Sequence, residues 1–198
     1  PNGLSCTNCV SPVASPSGNN FYIAKAEIAQ CEAYDSIFLT ILPLPNTNAG
    51  PNQSICLNDS IELNGSGADS LKWSPSTFLN DSNNANTWAH PTQNITYYLL
   101  GVDTSSSCQK NDSLTITVNP LPTANAGIDT SLCSDSVIFI GESTTSGMQY
   151  SWSPSDYLSA ANISNPEFSL SYTSDTSLKY NLTVTNSFGC ISIDSVII

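Results

Sequence analysis

The sequence predicts an all-β protein made of tandem β-sandwich modules with a period of roughly 77 residues. Three observations carry this: one ordered set of segments recurs along the chain, apolar residues alternate with period two, and no stretch holds a 3.6-residue apolar stripe.

The repeat organises everything else. Pro43-Leu44-Pro45-Asn46-Thr47-Asn48-Ala49-Gly50 returns as Pro120-Leu121-Pro122-Thr123-Ala124-Asn125-Ala126-Gly127. Trp73-Ser74-Pro75-Ser76 returns as Trp152-Ser153-Pro154-Ser155, and Cys56 returns as Cys133. Cys31, Cys108 and Cys190 correspond too, each followed by Asp-Ser and an aliphatic residue: Asp35-Ser36-Ile37, Asp112-Ser113-Leu114 and Asp194-Ser195-Val196. The predicted organisation is the second half of a module at 1–45, a complete module at 46–122, and a module at 123–198 cut within its last strand. The expectation is therefore a piece of a longer array.

The strands follow from alternation. Leu114, Ile116 and Val118 alternate with Thr115 and Thr117, and Ile37, Leu39 and Ile41 keep the same register, as in a strand buried on one face. Ile61 with Leu63, Leu71 with Trp73, and Tyr98 with Leu100 and Val102 predict three more strands in the middle module. Asn-Gly, Ser-Pro and Asn-rich stretches separate them, with at most a helical turn near 76–80 and 155–160.

Composition narrows the function. Four Lys and no Arg stand against sixteen acidic residues, a net charge of −12, so no basic face exists to neutralise nucleic acid or an anionic membrane. Charged residues make up 10% of the chain, and Asn, Ser and Thr supply the polarity instead. Three Trp, eight Tyr and six Phe argue for a folded chain rather than an acidic disordered one. No apolar run is long enough to span a bilayer, and 1–10 lacks the layout of a signal peptide, so an exported protein would be represented by a mature or internal piece.

Seven cysteines beside one histidine read as structural disulfides. The simplest connectivity pairs them within modules, Cys56 with Cys108 and Cys133 with Cys190, and leaves Cys31 to a partner outside the chain. Cys6 and Cys9 form a Cys-x-x-Cys and read as a short local staple. The competing readings, a redox pair or half of a zinc site, need a strand-to-helix setting or two further ligands.

The combination of Asn-Ala-Gly at a module start, Trp-Ser-Pro in its middle, a Tyr-led strand (Tyr22, Tyr98, Tyr180) and Cys before Asp-Ser-aliphatic resembles the PKD-like and related immunoglobulin-like repeats of large secreted surface proteins of Bacteroidota, of the gliding and adhesin type. The resemblance implies a seven-stranded immunoglobulin-like sandwich, a surface location, type IX secretion and no catalysis by these modules. It also makes Asp-Ser-aliphatic similar to an O-glycosylation sequon, with Ser36, Ser60, Ser70, Ser113, Ser136 and Ser195 as acceptors. The competing explanation is that Asp-Ser is simply a good turn before a strand.

No enzyme is expected. Nucleophilic catalysis would need His90, the only histidine, which reads as an incidental strand-edge residue. The acids fall in turns or strand starts, and no insertion builds a cleft for paired carboxylates. No cofactor is expected, with Ca²⁺ as the one candidate, on oxygen ligands from Asn48, Asn52, Asn125 and Asp129; their spacing matches no EF-hand, and turn-forming side chains explain the same letters. Trp73 and Trp152 are expected in the core, as are Tyr22, Tyr98 and Tyr180, whereas Trp88, Tyr97 and Tyr157 are candidates for an exposed, sugar-stacking face.

The leading expectation is a non-catalytic stalk or filament segment of a giant extracellular cell-surface repeat protein, spacing or displaying distal adhesive domains. Its partners would be neighbouring modules of the same long chain, other surface-protein subunits or extracellular glycans, with no nucleic acid and no membrane insertion. The alternatives are glycan- or protein-binding modules in their own right, and accessory modules of a secreted hydrolase.

Overall fold

The structure is a computed structural model that describes residues 3–171 and 176–198. Its architecture is all-β and immunoglobulin-like, and thirteen strands appear among the described residues. Strands β1 (Asn20–Ile28) and β2 (Cys31–Leu39) form an antiparallel hairpin. Phe21, Ile23, Tyr34, Ile37 and Phe38 are each more than half exposed on it, so Ile37 and its alternating neighbours carry the strand pattern without the burial it predicts.

The first sandwich contains β3 (Gln53–Cys56), β4 (Ile61–Asn64), β5 (Ser70–Ser74), β6 (Asn86–Ala89), β7 (Ile95–Val102) and β8 (Gln109–Asn119). One sheet runs in the order β3-β8-β7-β5, with β3 parallel to β8, and the other pairs β4 with β6. Leu63, Trp73, Tyr97, Leu99, Leu114 and Ile116 fill the space between them, each nearly or wholly buried. Fully burying aromatic and branched side chains of this kind contributes about 1.5–3 kcal/mol apiece, which is why so small a sandwich can close.

The second sandwich repeats the plan with β9 (Val137–Phe139), β10 (Gln149–Ser153), β11 (Glu167–Ser169), β12 (Lys179–Thr185) and β13 (Ile191–Ile197). Sheets β10-β12-β13 and β11-β9 enclose Ile140, Trp152, Phe168, Tyr180, Leu182 and Val196. Both tryptophans sit alike: Trp73 Nε1 donates to Ala85 O at 3.1 Å and Trp152 Nε1 to Ile163 O at 2.9 Å. A Cβ on Gly65 would lie 3.2 Å from the Trp73 ring and one on Gly141 2.8 Å from the Trp152 ring, so glycine lets the backbone approach each indole.

One strand departs from the expected register. Tyr97 and Leu99 point inward, and Tyr98 is 53% exposed. The run Tyr97-Tyr98-Leu99-Leu100 is apolar at both parities, so alternation alone does not choose a face. Alignment on the cysteines then misleads, because the hairpin joining β12 to β13 is one residue shorter than that joining β7 to β8: Thr185 pairs with Ile191, but Val102 with Gln109. A one-residue offset turns every side chain of a strand over. Tyr97, not Tyr98, is the structural counterpart of Tyr180. Tyr97 Oη donates to Thr77 O at 2.8 Å, and Tyr180 Oη to Asp156 O at 2.7 Å.

The cysteine pairing also differs from the expectation. Cys56 is bonded to Cys190, across the two sandwiches, while Cys108 and Cys133 are free thiols. The reason lies in the parallel pairing of β3 with β8. Cys56 lies beside Asn119 at the end of β8, and Cys108 precedes Gln109 at its start. An eleven-residue strand holds these ends roughly 30 Å apart, whereas a disulfide needs Cα atoms within about 7 Å. Cys133 and Cys190 are separated likewise, since Thr130 N donates to Ile197 O at the end of β13 while Cys190 precedes its start. The bridge across the sandwiches spans a Cα separation of 5.5 Å. Cys6 is bonded to Cys9, and Cys31 is free and exposed at the tip of the first hairpin.

Candidate functional site: the joint between the sandwiches

The recurring sequence signatures meet at two places, the closure of each sandwich and the joint between them. At the closure, Asp112 Oδ2 accepts the Ala49 N–H at 2.8 Å, and Asp194 Oδ2 accepts that of Ala126 at 2.8 Å. Asn48 Oδ1 holds the Gly50 N–H and Asn125 Oδ1 the Gly127 N–H, fixing glycines with φ of 89° and 95°. Asn52 Oδ1 accepts from Thr115 N, and Asp129 Oδ1 from Ile197 N, on the last strand of each sandwich. The Ala49 N–H, followed by that of Ser113, holds the Asp112 carboxyl below the usual carboxylate range.

These bonds employ one oxygen of each calcium candidate, Asn48, Asn52, Asn125 and Asp129, on a backbone N–H. Among the described residues, no group of three or more His, Cys, Asp or Glu converges as a metal site.

At the joint, the disulfide is accompanied by a hydrogen bond to the linker and by the Phe188 ring. Asn186, at the base of the β12–β13 turn, donates from Nδ2 to Pro120 O at 2.8 Å, while its Oδ1 takes the N–H groups of Phe188 and Cys190. The turn is thereby shaped by the same side chain that grips the linker. Pro122 is buried, and proline fixes φ on both sides of Leu121. Phe188 projects from the turn over a cleft of about 270 Å³ lined by Ser54, Ile55, Cys56, Asp59, Ser60 and Asn119.

Ser60, on that cleft, lies 2.6 Å from His90 Nδ1, and His90 Nε2 lies 3.1 Å from Asn80 Oδ1. Asn80 Oδ1 can only accept, so Nε2 carries the proton, and in the neutral ring Nδ1 then accepts from the Ser60 hydroxyl. The chain of atoms has the order of a hydroxyl, a base and an orienting group. All three residues are exposed, where water screens the dipoles that preorganised catalysis depends on. The second sandwich has Ser169 where the first has His90, since their N–H groups donate to the equivalent carbonyls of Tyr157 and Phe78. The arrangement ties the edge of β6 to the turn before β4.

The other candidates are dispersed. Trp88 and Tyr157 are 47% and 49% exposed, on different sandwiches, and Tyr157 stands edge-on to Phe168 at 6.5 Å. Tyr97 is fully buried, which removes it from any sugar-stacking face; burial pushes its phenol up to about 12. Of the sequon serines, Ser36, Ser60, Ser70 and Ser113 are exposed, and Ser136 and Ser195 are half-buried. No helix among the described residues is long and apolar enough to cross a membrane.

No family model matches this chain, and no curated protein does. Several solved structures are similar to it. Extracellular domains 3–5 of Drosophila OTK align with a TM-score of 0.44 at 12% identity, covering 90% of this chain and 70% of that one. The PKD domain from KIAA 1837 protein aligns with a TM-score of 0.36 at 22% identity, over 44% of this chain and 99% of that one. BT4661, a SusE-like surface located polysaccharide binding protein from the Bacteroides thetaiotaomicron heparin utilisation locus, aligns with a TM-score of 0.38 at 14% identity, over 78% of this chain and 33% of that one.

Proposed function

We propose that the chain is a non-catalytic, stiffened segment of a large extracellular repeat protein, a stalk or filament that spaces or displays adhesive domains. The observation that carries this reading is the joint. A disulfide between Cys56 and Cys190, the Asn186–Pro120 hydrogen bond and a proline-bounded linker act together to hold one sandwich against the next. A binding cleft between domains gains from a hinge, whereas a spacer gains from its removal. The Arg-free, Lys-poor surface leaves few sites for trypsin-like proteases, which suits life outside a cell.

Within this reading the resemblance to Bacteroidota surface repeats supplies the finer context: export by type IX secretion, a gliding or adhesin assembly, and O-glycans on the Asp-Ser serines. Exposure of Ser36, Ser60, Ser70 and Ser113 makes them reachable by a transferase. Neighbouring modules, other surface subunits and extracellular glycans are the proposed partners.

Small-angle scattering of the oxidised chain tests the spacer role. The expected distance distribution is that of sandwiches set end to end, broadening when Cys56–Cys190 is reduced; a compact globule unaffected by reduction would refute it. A second reading, glycan recognition by the sandwiches themselves, draws on exposed Trp88 and Tyr157. Glycan-array binding lost on Trp88→Ala would favour it.

A further inference from the structure

We propose that the free thiols Cys133 and Cys108 are two open halves of the joint that Cys56 and Cys190 close, and that each docks a further module of this same build. The cysteines fall into two kinds by position. Cys56 and Cys133 are turn cysteines, and Cys31, Cys108 and Cys190 are hairpin cysteines.

The local geometry is shared by Cys56 with Cys133 and by Cys190 with Cys108. Asp59 N donates to Cys56 O at 3.0 Å, and Ser136 N to Cys133 O at 3.2 Å. The third residue of each turn is left-handed, Asn58 at φ 75° and Asp135 at φ 61°. In the hairpins, Asn186 N donates to Cys190 O at 3.0 Å, and Asp103 N to Cys108 O at 3.0 Å. The backbone turns that carry the free thiols are therefore closed by the same hydrogen bonds as those that carry the bonded ones. Cys133 is exposed and Cys108 is partly so.

The closed bridge gives the rule: a turn cysteine bonds the hairpin cysteine of the module that follows it in sequence. Within one module the two kinds sit at opposite ends of the last strand and cannot meet. Cys6 and Cys9 belong to neither kind and bond each other. Applied to the remaining five cysteines, the rule pairs Cys56 with Cys190 and leaves Cys31, Cys108 and Cys133, the three thiols found free. Intra-module pairing has no such account of them.

The partner is thus a second module of this kind, offering a hairpin cysteine to Cys133 or a turn cysteine to Cys108. Asp103 occupies the place of Asn186, but its carboxylate only accepts and has no side-chain N–H to give a linker carbonyl, so docking at Cys108 leans on the covalent bond itself. Closure requires an oxidant, and a small-molecule disulfide such as oxidised glutathione suffices. The thiolate of Cys133 attacks one glutathione sulfur and releases one glutathione thiol. The thiolate of Cys108 on the other module then attacks the cysteine sulfur of the mixed disulfide and releases the second, so the two protons lost by cysteine end on two glutathione molecules.

The test uses the whole chain carrying Cys31→Ser, which leaves one free thiol of each kind. In glutathione redox buffer it is expected to form a covalent ladder whose linking peptides hold Cys108 and Cys133. Adding Cys108→Ser or Cys133→Ser should leave each chain monomeric alone, while their mixture stops at a dimer. Links between like cysteines, or no ladder in a buffer where Cys56–Cys190 forms, would overturn the proposal. The inference rests on the joint rather than on the spacer role: a compact scattering profile would sink the latter and leave these links intact.

Discussion

The carboxylate of Asp112 accepts the backbone N–H of Ala49 across 2.8 Å, joining the Asp-Ser signature before the last strand to the Asn-Ala-Gly signature at the module start. Asp194 and Ala126 repeat it. Two motifs that lie more than sixty residues apart thus recur together because they are one contact, which closes the sandwich before the chain enters its first strand.

Replacing Asp112 by Ala is expected to destabilise the first sandwich by about 1 kcal/mol, at the modest end because solvent reaches the carboxylate. The folded-state pKa of Asp112 lies below its unfolded value, so its contribution is complete above the ordinary carboxylate range and is lost as pH falls through the depressed value. Asp112→Asn keeps an acceptor for Ala49 but should flatten that acid slope. Denaturant melts between neutral and acid pH measure both.

Tyr97 and Trp88 separate core from surface. Tyr97→Phe removes the hydrogen bond to Thr77 and should cost about 1 kcal/mol, and Tyr97→Ala about 3–5 kcal/mol. Trp88→Ala, at an exposed site, should stay within about 0.5 kcal/mol. The buried phenol titrates at about 12, above its unfolded value, so wild type loses stability as pH rises from the ordinary tyrosine range towards that value, and Tyr97→Phe should lose less.

Asn52 and Asp129 serve the fold through their hydrogen bonds to Thr115 and Ile197. Calorimetric titration with Ca²⁺ is expected to give no binding heat and no shift in Tm. Asn52→Ala should lower stability equally with and without calcium.

Sequon occupancy is read by intact mass of material from a native-type host. Added hexose-scale mass, lost stepwise on Ser36→Ala and Ser113→Ala, is the expected outcome. A bare polypeptide mass would remove the modification from the account.

Much of the fold was legible. Trp73, Trp152, Leu114 and Ile116 lie in cores as their alternation requires, and the repeat marks both sandwiches. The Tyr97 register was not, because four consecutive large apolar residues carry no period-two signal and the hairpin shortens by one residue between copies. The disulfide pairing is not legible in the sequence, for a topological reason. Position near the first and last strands does not say at which end of each a cysteine sits, and parallel pairing of β3 with β8 puts Cys56 and Cys108 at opposite ends. The Pro-Leu-Pro linker held part of the missing signal, since so short a connection keeps the end of β3, beside Asn119, close to the following sandwich. The Ser60–His90–Asn80 contacts left no mark in the sequence, because a solitary histidine shows neither partner.

The bridge between sandwiches carries the account. In the chain-entropy description, closing a loop of 134 residues stabilises by about 5 kcal/mol, and that gain belongs to the joined pair rather than to either sandwich. The direct measurement is a disulfide map of the oxidised chain, digested without reduction and read by mass spectrometry. The expected result is a peptide linking Cys56 to Cys190 with Cys108 and Cys133 alkylatable. Peptides linking Cys56 to Cys108 and Cys133 to Cys190 would contradict it.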